Sequence, residues 1–274
     1  MTLRLPRGRS LGFGRVPLVM GIVNVTPDSF SDGGVHQDRD VAVEAALRME
    51  ADGAAIVDVG GESTRPGSDA VSADVELERV LPVIEAIRKR SDVPISIDTT
   101  KARVAEAALD AGADIVNDVT ALRGDPAMRA LVARRNVPAV LMHMRGAPKT
   151  MQHDIHFDDV VCDVARELTE FRDAAIAAGV AQIVVDPGIG FGKTAEHNLQ
   201  LLARAHELTK IAPLMIGASR KAFLGRLTGR DAGPDRMAGS LATVCAAARA
   251  GAAIVRVHDV RETVDFLKVM DAIG

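Results

Sequence analysis

Eight short apolar runs recur along the chain: PLVMGIVN, AAIVDVG, PISIDT, ADIVND, PAVLMH, QIVVDPG, APLMIGAS and AAIVRVHD. Each is apolar throughout rather than alternating, as expected of a strand covered on both faces in a parallel sheet. Amphipathic or Ala-rich helical patterns lie between them, among them 39–52, 74–90 and 160–178. Eight strands alternating with helices predict an α/β fold, a closed (β/α)8 barrel of TIM type, with a doubly wound open sheet as the alternative. No Pro- or Ser-rich linker and no shift in composition divides the chain, so residues 1–274 read as a single domain. Residues 2–16 read as a lead-in that closes the barrel floor.

The runs end in a particular way. They stop at Asn24, at Asp58 followed by Glu62, at Asp98 followed by Lys101, at Asn117 and Asp118, at His143, at Asp186, at Ser219-Arg220-Lys221 and at Arg256-Val257-His258. In a barrel the C-terminal strand ends share one rim, where active sites are built. Helix N-caps account for an occasional Asp, Asn or Ser in such places. They do not account for Asn, Asp, Lys, Arg and His converging together.

Arg256 and His258 stand at i and i+2, so their side chains project on one face of a strand. If that face is the lumen, an unpaired Arg is costly there. A bound phosphate would satisfy both groups, and phosphate sites near the last two strands are common in barrels. A structural Arg–Asp pair is the alternative. Asp98, Asn117 and Asp186 end three separate strands; carboxylates suit the paired N–H donors of a heterocycle edge, and an amide adds a donor and an acceptor. Asp98 could instead cap a helix ahead of Thr99 and Lys101.

Other motifs carry less. GIGFGKT (188–194) has Pro187 where a P-loop needs its first glycine, and no G-x-G-x-x-G occurs in the chain. A glycine-rich turn leading into a helix is the better reading. His143, His153 and His156 cluster near Met142, Met144 and Met151 without the spacing or the carboxylate or thiolate partner of a metal site, and read as solvated loop histidines. GGESTRPGS (60–68) is either a surface loop or a mobile lid presenting Thr64 and Arg65 to an anion.

Composition narrows the class. A hydrophobic fraction of 47% in 274 residues supplies a large core. A net charge of −4, with 3% aromatics and neither Trp nor Tyr, argues against a nucleic-acid partner. Two cysteines, Cys162 and Cys245, make no disulfide framework or zinc pattern, which fits a reducing cytoplasm. The first fifteen residues carry four arginines but no apolar stretch of the secretory type. No apolar stretch reaches the roughly 18–20 residues of a membrane helix. The expectation is a soluble cytoplasmic protein with no membrane partner.

With these residues in place the chain resembles the dihydropteroate synthase family. The likeness rests on GIVNVTPDSFSDGG, AAIVDVGGESTRPG, SIDTTKA, DIVNDVTA, VVDPGIGFGKT, GASRKAFLG and RVHDVRET, which span nearly the whole sequence. The resemblance implies a (β/α)8 barrel that condenses a dihydropterin bearing a hydroxymethyl pyrophosphate with p-aminobenzoate, releasing dihydropteroate and pyrophosphate. It implies that Asp98, Asn117, Asp186 and Lys221 hold the pterin, and that Arg256 and His258 bind the pyrophosphate. It implies that Asn24 binds the pyrophosphate together with Mg²⁺. Thr64, Arg65 and Pro66, with Phe30 and Asp32, would close over aminobenzoate and pyrophosphate, and Phe191 would flank the aminobenzoate ring. Asn24, Asp98, Lys221, Arg256 and His258 are the residues expected to act in the chemistry.

The aminobenzoate carboxylate is expected at backbone N–H groups of the helix that starts near Arg220, after Ser219. Ala222 stands there where some family members have Ser, so a hydroxyl donor is missing. A homodimer through the later helices is also implied. On these assignments Arg256→Ala should weaken pyrophosphate-bearing pterin and spare the pyrophosphate-free pterin. Alternatives are a methyltetrahydrofolate-handling methyltransferase barrel and a non-catalytic pterin-binding protein.

Overall fold

The chain opens with a small antiparallel hairpin, β1 (Thr2–Arg4) and β2 (Ser10–Gly12). Parallel strands then form at the apolar runs: β3 (Leu18–Asn24), β4 (Ile56–Gly60), β5 (Ile95–Asp98), β6 (Ile115–Asp118), β7 (Ala139–Met142), β8 (Ile183–Asp186), β9 (Met215–Ile216) and β10 (Ile254–Val257). The computed structural model describes residues 1–26, 35–64, 67–146, 149–152 and 154–274, and at 35–38 the backbone only. The sheet runs β8-β7-β6-β5-β4-β3-β10-β9. A parallel bridge between Val185 and Leu214, with Val185 N–H donating to the Pro213 carbonyl at 2.9 Å, brings its two ends together. The result is the (β/α)8 barrel that the eight runs predict, not the open sheet.

Helices cover the outside: α1 (Val35–Ala51), α2 (Ala73–Arg90), α3 (Ala102–Ala111), α4 (Met128–Arg135), α5 (Val160–Ala177), α6 (Ala195–Ala203), α7 (Ala205–Leu208), α8 (Ala222–Thr228), α9 (Met237–Arg249) and α10 (Val260–Ile273). Their ends follow local chemistry. The Ser72 side chain accepts from Val75 N–H at the start of α2, and Arg88, Lys89 and Arg90 sit at its C-terminus, where the helix dipole favours cations. Asp159 accepts from Val161 and Cys162 N–H at the start of α5. Thr194 and His197 form a reciprocal capping box at α6. Thr194→Ala is expected to cost about 1 kcal/mol, read as a lower urea midpoint with unchanged slope.

Strand residues alternate between two environments. Val57, Val59, Ile95, Ile97, Leu141 and Val185 pack outward with helix residues such as Val80, Ile84 and Leu168. Met20, Ile56, Ile115, Val140, Val184, Met215 and Ile254 fill the lower lumen, plugged from below by Leu3 and Leu5 of the hairpin segment. That is the floor expected of residues 2–16. Buried Asp114 fastens it, accepting from Arg7 at 2.6 Å, Arg88 at 3.0 Å and Ile95 N–H at 3.0 Å, and pairing with Arg9 as well. No helix among the described residues is long and apolar enough to cross a membrane.

Candidate active site

Two residues above the floor, the lumen turns polar. Asp58 follows Ile56, Asn117 follows Ile115, Asp186 follows Val184, and Arg256 follows Ile254, each on the same strand face as the floor residue before it. The ladder puts Asn24 opposite Gly60, Gly60 opposite Asp98, and Asp98 opposite Asn117. Asn24, Asp98 and Asn117 therefore share one level of the rim.

Arg256 organises this layer. Its Nε donates to Asp58 Oδ2 at 2.6 Å and its Nη2 to Asp98 Oδ2 at 2.7 Å. Asn117 Nδ2 donates to the same Asp58 oxygen at 3.1 Å. The structure thus realises the Arg–Asp pair, and doubles it. Asp58 is fully buried, and its Oδ1 has no hydrogen-bond partner. Burial pushes the Asp98 carboxyl up to about 7, Arg256 holds it back, and Asp58 pushes it further. Asp98 does not cap α3; the first N–H of that helix, from Ala102, donates to Asp125 at 2.9 Å. Asp118 faces away from the lumen and holds the next turn, accepting from Thr120 and Leu122 N–H.

Asp186 is buried on the far side. Gly188 N–H donates to its Oδ1 at 2.7 Å, and a Cβ at Gly217 would stand 3.6 Å from its Oδ2. Burial raises its pKa, opposed by the Gly188 N–H bond and by the charges of Lys221 and Arg256. Lys221 carries its ammonium 4.2 Å from the Phe191 ring centroid, a cation–π contact. Phe191 packs in turn with Val119, Met142, Met144 and Met151 as an apolar wall.

The turn at Ser219-Arg220-Lys221 is strained. Arg220 has φ of 58°, in the left-handed region that a side chain rarely adopts. Its N–H donates to Ser240 at 2.9 Å, and its guanidinium pairs with Asp259. Those partners hold a geometry that swings Lys221 toward Phe191 and Ser219 toward His258. The Ser219 hydroxyl oxygen accepts from His258 N–H at 3.2 Å and lies 3.1 Å from its Nδ1. If the hydroxyl donates to Nδ1, Nε2 carries the ring proton. Burial and the charges of Arg220 and Arg256 pull the His258 pKa down to about 3, so the imidazole is neutral. Ala222 is exposed at the first residue of α8, with Lys221 as the N-cap residue.

The turn GIGFGKT leads into α6 as expected, but His143 departs from its expectation. It is fully buried, with Nε2 3.0 Å from Glu167 and Nδ1 3.0 Å from Lys193, and is no solvated loop histidine. Burial pulls its pKa down to about 4, with Lys193 acting in the same direction. His156 is exposed. Thr64 is half-buried after β4, and below it Lys101 pairs with Glu62 and lies 2.6 Å from buried Glu76. Phe30, Asp32, Arg65, Pro66 and His153 lie outside the described residues.

Asn24 is half-buried at the end of β3. Among the described residues, no three His, Cys, Asp or Glu side chains converge as a metal cage. A single amide oxygen suits a hard cation that takes its other ligands from water and substrate phosphates.

Comparison with known proteins gives this constellation a family. The family model described as pterin binding enzyme matches residues 20–258. A dihydropteroate synthase of Synechocystis is 46% identical over 273 residues, covering 98% of this chain and 94% of the relative. The chain belongs to the dihydropteroate synthases. Among solved structures of the family, the Xanthomonas albilineans enzyme with 4-aminobenzoic acid superposes with a TM-score of 0.93 at 48% identity, covering 100% of this chain and 98% of that one. The same organism's enzyme in complex with 7,8-dihydropteroate gives a TM-score of 0.90 at 45% identity, with the same coverages. For this dihydropteroate synthase family member the polar lumen layer and the apolar Phe191 wall meet at the barrel mouth.

Proposed function

We propose that the barrel mouth joins a dihydropterin bearing a hydroxymethyl pyrophosphate to p-aminobenzoate, with the residue roles that follow. The observation that carries the reading is Arg256 spanning Asp58 and Asp98 beside Asn117, with Asp186 on β8, the strand opposite Asp58's β4 in the barrel. A flat heterocycle rich in N–H donors fits between such carboxylates, so Asp98, Asn117, Asp186 and Lys221 are assigned to the pterin. Asn24, Thr64, Arg65, Arg256 and His258 are assigned to the pyrophosphate. Phe30, Asp32, Thr64, Pro66, Phe191, Ser219 and Ala222 are assigned to the aminobenzoate side and the loops that cover it.

The chemistry asks for positioning and charge. As pyrophosphate departs, negative charge grows on its oxygens, where Arg256 and the neutral imidazole of His258 meet it. Positive charge grows on the pterin, where the carboxylates of Asp98 and Asp186 lie. Aminobenzoate's amine is neutral at physiological pH, so no strong general base is needed. Mg²⁺ bound with the substrate's pyrophosphate would take the Asn24 oxygen and offset leaving-group charge. Water must be kept from the site while the cation exists, because it would otherwise capture it.

A cytoplasmic homodimer belongs to the same reading. Leu227 of α8 and Met237 of α9 are exposed apolar side chains on the later helices, suited to a partner copy.

The decisive assay follows pyrophosphate release and dihydropteroate formation together, with and without Mg²⁺ and p-aminobenzoate. Dihydropteroate is expected only with both present. Pterin binding without product under any condition would leave a binding protein rather than a synthase.

A further inference from the structure

Lys193 is a buried amine with no part in the chemistry above. Only 3% of its surface is exposed, and burial pulls its ammonium down to about 7. Its Nζ lies 3.0 Å from His143 Nδ1, 3.0 Å from the Phe191 carbonyl, 3.1 Å from the Gly188 carbonyl and 3.3 Å from the His143 carbonyl. Charged, it donates to His143 Nδ1, which leaves Nε2–H to donate to Glu167 on α5. Glu167 is itself held by Arg145 through Nε at 3.0 Å.

The turn that Lys193 gathers needs holding. Gly188, Gly190 and Gly192 have φ of 65°, 84° and 59°, a left-handed series in the residues with most conformational freedom. Gly188 approaches β7 so closely that a Cβ there would stand 2.0 Å from the His143 carbonyl oxygen. Its N–H fixes the Asp186 carboxylate. Three residues on, Phe191 presents its ring to Lys221. The carbonyls of these two residues, one serving each side of the site, converge on one ammonium.

We infer that Lys193, braced by His143 and Glu167, is a positioning residue: it sets the Asp186 carboxylate and the Phe191 ring against each other, so that pterin and aminobenzoate are seated in register. The inference rests on the proposed assignment of Asp186 to pterin and Phe191 to aminobenzoate. Burying a lysine is expensive, and here its Nζ ties the Gly188 carbonyl at 3.1 Å to the Phe191 carbonyl at 3.0 Å, a link that an apolar side chain filling the same space would not make.

The test is Lys193→Met, which keeps length and removes charge and donors. The dihydropterin Kd and the aminobenzoate KM are both expected to rise about tenfold, the scale of a lost charged hydrogen bond. Thr194→Ala, which loosens the same turn from its helix side, should lower stability and leave both constants at wild-type values. Lys193→Met with both constants unchanged overturns the inference, whatever its melting temperature. So does a rise of equal size in Thr194→Ala. Should Lys193→Met fail to fold, Glu167→Gln carries the test: it touches neither ligand nor turn, and smaller rises in the same two constants are expected. Unchanged constants in Glu167→Gln then overturn the inference. A wild-type protein that binds no dihydropterin would instead sink the functional reading itself.

Discussion

Arg256→Ala is expected to abolish turnover and to cost about 3–5 kcal/mol of folding stability. The arginine neutralises two carboxylates at once, through separate nitrogens, at 2.6 and 2.7 Å. Removing it leaves Asp58 and Asp98 facing each other across a partly desolvated space, and the folded protein can relieve this only by protonating one of them. Urea denaturation of the variant should show a lower midpoint at unchanged slope. Adding Asp58→Asn should return part of the loss, because one uncompensated charge is gone; a double variant no more stable than Arg256→Ala would count against the pairing. Arg256→Lys should rescue poorly, since a single ammonium cannot reproduce the planar fork that spans both acids.

The same geometry changes an expectation drawn from sequence. With Arg256 assigned to pyrophosphate alone, pyrophosphate-free pterin should bind Arg256→Ala normally. In the folded protein Arg256 also holds Asp98 in place and opposes the rise in its pKa. Without it, Asp98 takes up a proton and offers a donor where the pterin needs an acceptor. Both pterins are therefore expected to weaken, the pyrophosphate-bearing one more. Normal binding of the pyrophosphate-free pterin would mean that Asp98 keeps its charge and orientation unaided.

How much could be read from residues alone depended on how local each cause was. Strand identity is local: continuous Val and Ile runs mark doubly covered strands, and all eight appear in the barrel. Strand length is not. APLMIGAS supplies only Met215–Ile216 to the ladder, because its contact with β8 is a single bridge at Leu214. The strand ends were legible as a rim: Asn24, Asp98 and Asp186 end their strands, Asn117 and Arg256 stand one residue before the end, and His258 follows.

Pairing inside that rim was not legible, because the partners are far apart in the chain. Asp58 and Arg256 are separated by 198 positions. A signal for Asp58 existed: an Asp inside an apolar run, two residues past Ile56 and so on the floor's own face, must be paired if it is buried. His143 failed for a related reason. Its sequence neighbours Met142, Met144, His153 and His156 suggested a loop, whereas its burial is decided by Glu167 and Lys193 from other elements. Lys193 itself read as part of a turn, since nothing near it in sequence shows which carbonyls its ammonium collects.

Asp186→Asn is expected to weaken pterin by about 10- to 100-fold, the cost of exchanging a charged acceptor for a neutral amide in a buried site. Oδ1 is already occupied by the Gly188 N–H at 2.7 Å, so an asparagine must keep its oxygen there. Its NH2 then takes the place of Oδ2, on the side where Gly217 leaves room. A pterin N–H edge would meet donors instead of a lone pair, and no flip of the amide cures this, because flipping turns the NH2 against Gly188. The variant also removes the negative charge that would face the cationic pterin formed as pyrophosphate leaves, so kcat should fall along with affinity. Titration of dihydropterin and steady-state turnover read the two effects separately. Arg65→Lys, which keeps its charge, should lose far less pterin affinity. Equal losses in the two variants would put the pterin's principal acceptor somewhere other than Asp186.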